Sequence, residues 1–128
     1  MAYSYDEQNI FAKILRGQIP NSTVLETDHS LAFHDINPAA PNHILVIPKG
    51  PYVNFDDFAS NASDAEIIDF TRAVAMVCDT QAVSESAGGR GYRLISNAGE
   101  VGLQEVPHYH MHILGGRVLG PMLAVLGS

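Results

Sequence analysis

An α+β domain with an antiparallel sheet follows from three features of this 128-residue chain. Helix-like and strand-like stretches succeed one another as helix, three strands, helix, two strands, a grouping that implies an antiparallel sheet. The first two strands are joined by the turn Thr27-Asp28-His29-Ser30. The stretch Val106 to Arg117 alternates histidines with large apolar residues, the two-residue period of a strand. A helix would scatter the same histidines through about 200° of arc.

The elements follow in chain order. Asp6 caps a first helix of about Glu7 to Arg16 by accepting from backbone N–H groups. Ile10, Phe11 and Ile14 share one face of it, and Gly17 and Pro20 end it. Ile10 is expected in the core. Ser22 to Glu26 and Leu31 to Ile36 read as strands. Asn37 to Asn42 is a loop with two rigid prolines. His43 to Ile47 is apolar on both faces, as a central strand is. Ser63-Asp64-Ala65-Glu66 is a capping-box pattern that opens a long helix to about Ser84. Ile67, Phe70, Val74 and Val77 keep the rhythm of a helix packed on a sheet. Cys78, beside that stripe, reads as an inert buried thiol. Gly88-Gly89 marks the exit, Tyr92 to Ser96 a strand, and Asn97 to Glu105 the loop into the histidine strand.

Length places residues 1–128 in a single domain, large enough for a sizeable core. The net charge of −7 disfavours nucleic acid, whose phosphates want clustered Lys and Arg. No apolar run approaches the roughly 18–20 residues of a membrane span. Residues 1–7 lack a basic then apolar leader, and the single Cys78 fits a reducing compartment. The expected location is the cytoplasm, away from membranes and nucleic acid.

Three of the six histidines fall on one face of one short strand. That is too concentrated for an ordinary solvent-facing side. Two chemistries stay open: a metal site, since imidazole is a common ligand, and covalent catalysis by one histidine with its neighbours as proton carriers and anion binders.

The run Gln104-Glu105-Val106-Pro107-His108-Tyr109-His110-Met111-His112-Ile113-Leu114-Gly115-Gly116-Arg117, preceded by Asn97, Gly99 and Gly102, resembles the histidine triad (HIT) family. Its signature alternates three histidines with apolar residues. Asn9 to Ile14, Leu31 to Pro38 and Ala40 to Lys49 match it in the same order, and the nearest branch is that of the histidine triad nucleotide-binding proteins.

The resemblance implies a five-stranded antiparallel sheet with two helices, paired across a homodimer whose contact includes the long helix. It implies a purine nucleotide substrate, with His110 as nucleophile on the α-phosphorus. His112 would donate to a phosphate oxygen or the leaving group. His108 would hydrogen-bond His43 of the central strand. Asn97, Gly102, Leu103, Gln104 and Glu105 would surround the phosphate, Gln104 as an uncharged amide donor. Asp35 would accept from the ribose hydroxyls, with Phe33, Ile36, Phe11 and Ile14 beside the base. His29 reads as solvated and His34 as structural.

Glu105 stands where many relatives have Ser or Thr, which puts a hydroxyl contact there in question. Some members bind a structural zinc through cysteines flanking the Ile-Phe pair. This chain has Asn9 and Ala12 there, so neither a metal nor a cofactor is expected. The implied activity is hydrolysis of purine nucleoside phosphoramidates and acyl-nucleotides through a covalent nucleotidyl-histidine. Dinucleoside polyphosphate hydrolysis and a nucleotide-binding regulator with incidental hydrolysis are the alternatives. The apolar tail Val118 to Leu126 is expected to complete the partner's site.

Overall fold

The computed structural model describes residues 3–124. Five strands form one sheet: β1 (Thr23–Glu26), β2 (Ser30–His34), β3 (Asn42–Pro48), β4 (Tyr92–Ile95) and β5 (Met111–Gly115). Their order is β1-β2-β3-β5-β4, and every neighbouring pair is antiparallel. β3 lies at the centre, and all its residues from His43 to Pro48 are buried, as the doubly apolar run anticipates.

The described residues form three α-helices rather than the two expected: α1 (Ile10–Leu15), α2 (Phe55–Asn61) and α3 (Asp64–Thr80). α2 buries only Phe58, so it carries no apolar stripe for periodicity to detect. It rests on Asn54, whose side chain accepts from the Asp57 N–H, and on Asp56 and Asp57 in its first turn.

α1 starts later than expected, because its cap is Asn9 and not Asp6. The Asn9 side chain accepts from the Ala12 N–H at 2.9 Å. Asp6 instead builds the turn before it, its carboxylate accepting from Gln8 N–H and its carbonyl from Asn9. α3 has the predicted capping box, Ser63 with Glu66, and buries Phe70, Val74 and Val77. It stops at Thr80, four residues short of the expected end.

Strand register sorts the sheet residues into two faces. Ala32, Ile44, Val46 and Ile113 pack with Tyr109 against Phe58, Phe70, Ala73, Val74 and Val77. Leu31, Phe33, Leu45 and Ile47 pack on the other side against Phe11 and Ile14 of α1. His112 pairs with Leu45 and His43 with Leu114, so both histidines belong to the α1 face. Cys78 is buried among the α3 contacts, and that burial raises its thiol pKa. Among the described residues, no helix is long and apolar enough to cross a membrane.

Candidate active site

On the α1 face a cavity of about 350 Å³ opens beside the histidines. His110 and His112 form part of its wall. Their alternation with Tyr109, Met111 and Ile113 holds, since those three turn to the α3 side. β5 begins only at Met111, however. His108 sits in the bend before it and is fully buried, outside the cavity.

The hydrogen bonds fix which ring nitrogen carries each proton. The Pro48 carbonyl can only accept, so His108 donates to it from Nε2, at 2.8 Å. His108 Nδ1 is then an acceptor and receives the Tyr5 hydroxyl at 2.7 Å. The His108 carbonyl in turn accepts from His110 Nδ1 at 2.7 Å. Neutral His110 is therefore left with a bare lone pair on Nε2. The Ser96 hydroxyl donates to the His110 carbonyl at 2.9 Å, anchoring the same residue from β4's end.

A second chain starts at the main chain of the proline loop. The Ala39 N–H donates to His43 Nδ1 at 2.9 Å. His43 Nε2 therefore bears the proton and lies 2.9 Å from His112 Nδ1, which accepts it. That leaves an N–H on His112 Nε2. The expected partner of His43 was His108; it is His112. The cause is register: His43 and His112 lie diagonally across the β3–β5 pair, whereas His108 precedes β5.

Burial favours the neutral form of the three rings of the histidine run. It lowers His108 to about 4. His112 also falls to about 4, first by burial and then by the neighbouring His110 and His43. His110 is lowered too, by burial, against the opposing pull of the His108 carbonyl, Asp35 and Glu105. A neutral imidazole with a free Nε2 is a nucleophile.

Of the expected contact residues, Asp35, Ile36, Phe33, Phe11, Ile14, Asn97, Leu103 and Glu105 all line the cavity. Phe11 meets His110 edge-on, with ring centres 5.0 Å apart. Asp35 Oδ2 is 3.4 Å from His43 Nε2, and its Oδ1 accepts from the Asn37 N–H at 2.8 Å.

Two expected contacts belong to the loop itself. The Gln104 amide donates to the Val53 and Val106 carbonyls and accepts from Gly99, so it braces the loop instead of offering protons to a phosphate. Gly102 is absent from the wall as well. A Cβ there would come within 2.6 Å of the Ala98 carbonyl, so its role is to let the loop close on itself.

The cavity also uses residues the sequence reading did not single out for it. Ile10 is 42 % exposed on its rim rather than in the core. Its i, i+4 spacing to Ile14 was the available signal. Ile19, Pro20, Asn21, Leu45 and Val106 line it too, as does His34 from the end of β2. Leu45 was reachable by strand parity with His43; the residues after α1 carry no periodic signal.

Asp35, His43 and His112 bring three donor atoms within 4.8 Å of one another, the spacing of a metal site. Their donors are already engaged: His43 Nδ1 by the Ala39 amide, and its Nε2 with His112. A cation here would have to displace that proton.

Residues 16–119 match the HIT domain family. The chain is a member of that family. Among its relatives, an uncharacterised HIT-like protein of Azospirillum brasilense is 57 % identical over 96 % of this chain and 98 % of its own. The purine nucleoside phosphoramidase of Escherichia coli is 42 % identical over 94 % of this chain and 98 % of its own. Among solved structures, a histidine triad protein from Clostridium difficile superposes with a TM-score of 0.77 at 36 % identity, covering 92 % of this chain and 98 % of that one. A HIT family hydrolase from Clostridium thermocellum gives the same TM-score at 35 % identity. The fold described above matches that of these HIT structures.

Proposed function

We propose that this HIT protein hydrolyses the P–N bond of purine nucleoside phosphoramidates, and related acyl-nucleotides, through a covalent nucleotidyl-His110. One observation carries the reading: His110 Nε2 is bare while His112 Nε2 bears a proton, on neighbouring positions of one cavity wall. The similarity to a phosphoramidase supports the choice of leaving group.

His110 Nε2 attacks the α-phosphorus, and the P–N bond to the leaving amine breaks. A bound phosphoryl anion favours the protonated state of the His112–His43 pair. That added proton goes to the leaving nitrogen. Water then attacks phosphorus, the bond to His110 Nε2 breaks, and the water's proton returns to the pair. Phe11, Phe33, Ile14 and Ile36 receive the base, Asp35 the ribose hydroxyls, and Asn97 with the backbone of the 99–105 loop the phosphate.

The protein acts as a homodimer in this reading. Ile68 and Met76 on α3, and Tyr92 and Leu94 on the edge strand β4, are large apolar groups left exposed. The tail is proposed to reach the partner's cavity. Arg93 holds its start through the Gly120 and Pro121 carbonyls, while Val118, Met122 and Leu123 stay exposed. Val125 and Leu126 lie outside the described residues.

The test is a hydrolysis panel of adenosine and guanosine phosphoramidates against diadenosine polyphosphates, with acid-quenched protein examined by mass spectrometry. Phosphoramidates should turn over fastest, and a nucleoside monophosphate adduct should map to His110. Faster polyphosphate cleavage, or turnover without an adduct, overturns the assignment.

A further inference from the structure

The stretch before α1 lies outside the matched HIT residues 16–119, yet it reaches the centre of the histidine cluster. Two tyrosine hydroxyls tie it down. Tyr3 donates to Asp56 Oδ2 of α2 at 2.6 Å, and Tyr5 meets His108 Nδ1 at 2.7 Å. Arg16 closes the strap from the other side, donating to the Glu7 carbonyl at 2.9 Å.

His108 is fully buried and makes two ring hydrogen bonds, to Pro48 and to Tyr5. The first bond alone would leave Nδ1 as a buried acceptor with nothing to accept, an arrangement that costs more than the bond contributes. A flipped ring or the other tautomer then becomes competitive. Either would move the His108 backbone, whose carbonyl holds His110 Nδ1. The Tyr5 ring also stands edge-on to His108, with centroids 5.6 Å apart. Burial raises the Tyr5 pKa, which keeps the phenol a donor.

We propose that Tyr5 is a positioning residue: its hydroxyl fixes the tautomer and orientation of His108, and through the His108 carbonyl it aims the His110 nucleophile. The inference rests on the proposed hydrolysis for its kinetic arm only.

The experiment compares Tyr5→Phe with Tyr3→Phe. The first removes one hydroxyl and keeps the ring; the second loosens the strap at α2 without touching His108. With an adenosine phosphoramidate, Tyr5→Phe should lower kcat by about tenfold with KM unchanged, the size expected for one unpaired buried acceptor. Tyr3→Phe should leave kcat unchanged. In ¹⁵N spectra of the imidazoles, wild type should show single tautomers, His108 protonated on Nε2 and His110 on Nδ1. Tyr5→Phe should mix both. Unchanged kcat in Tyr5→Phe, or equal losses in the two variants, overturns the proposal. If the wild type does not cleave phosphoramidates, the earlier reading fails and the spectra decide this one: unaltered His110 resonances in Tyr5→Phe overturn it.

Discussion

Alternate residues of β3 and β5 look into two different environments. Ile44, Val46 and Ile113 face α3 in a cluster of apolar side chains, with the buried Ser30 hydroxyl donating to Asp69 of α3 on the same face. His43, Leu45 and His112 face α1, where ring nitrogens and main-chain groups are joined in hydrogen bonds. The first face gains stability in proportion to area removed from water. The second gives up part of that gain so that four imidazoles sit in defined protonation states. No buried side-chain nitrogen or oxygen lacks a partner among the described residues, so the exchange is complete. The difference teaches that activity and stability are separable here by strand parity.

The sharpest way to test that separation is His110→Ala. Turnover should fall by about a thousandfold or more, the loss seen when a nucleophile is removed. The nucleoside monophosphate should still bind, measured by calorimetry, and the melting temperature should barely change. Residual hydrolysis near the wild-type rate would sink the covalent route.

The mirror experiment is Tyr109→Ala, one residue earlier and on the opposite face. Tyr109 packs on Phe58 and Phe70 with ring centres 5.1 and 4.9 Å away. Its loss should cost roughly 3–5 kcal/mol in urea unfolding, as aromatic truncation in a core does. If the folded fraction then keeps its kcat, the two faces are separable; if kcat collapses with no change in stability, they are not.

The histidine face should also betray itself through pH. His108 titrates at about 4 in the folded chain against 6.5 when free. Between those values the unfolded chain binds more protons, so stability is full above 6.5 and is lost as pH falls towards 4. His108 alone accounts for about 3 kcal/mol of that loss. Urea midpoints from pH 7.5 to 4.5 should trace the decline, and His108→Gln should make it shallower, with His112, also lowered to about 4, keeping part of it. A wild-type midpoint independent of pH would contradict the buried neutral ring.

The smallest effect concerns metal. Exhaustive chelation should leave kcat unchanged, because in the proposed reaction imidazole and backbone donors serve the phosphate, and the proton between His43 and His112 occupies the one cluster of suitable ligands among the described residues. Loss of activity with EDTA, restored by zinc, would move the site to the metal class.

Much of this was legible in the sequence because it is written in period and punctuation. The two-residue alternation from His108 to Ile113 placed Tyr109, Met111 and Ile113 on the core side, and Ser63 with Glu66 announced α3. What escaped is set by contacts distant in sequence. α2 turns on one buried phenylalanine. The partnership of His43 with His112 depends on strand register, which a single strand's pattern does not encode. Gln104 reads as a phosphate donor until the Val53 carbonyl, 51 residues away, is seen to claim its amide. Tyr5 reaches His108 across 103 residues, and nothing local marks it.

The Ala39 amide has a consequence for how the site tolerates change. The direction of the His43–His112 proton chain is set there by a backbone N–H, flanked by Pro38 and Pro41. Every residue but one supplies that group. A saturation library at position 39 should therefore show near-uniform fitness with a single gap at proline, which has no N–H to give. Rings that take their polarity from main-chain groups at Ala39, Pro48 and His108 have it as a property of chain path. Transplanting the histidine pattern onto another sheet would carry the side chains across and leave their polarity behind.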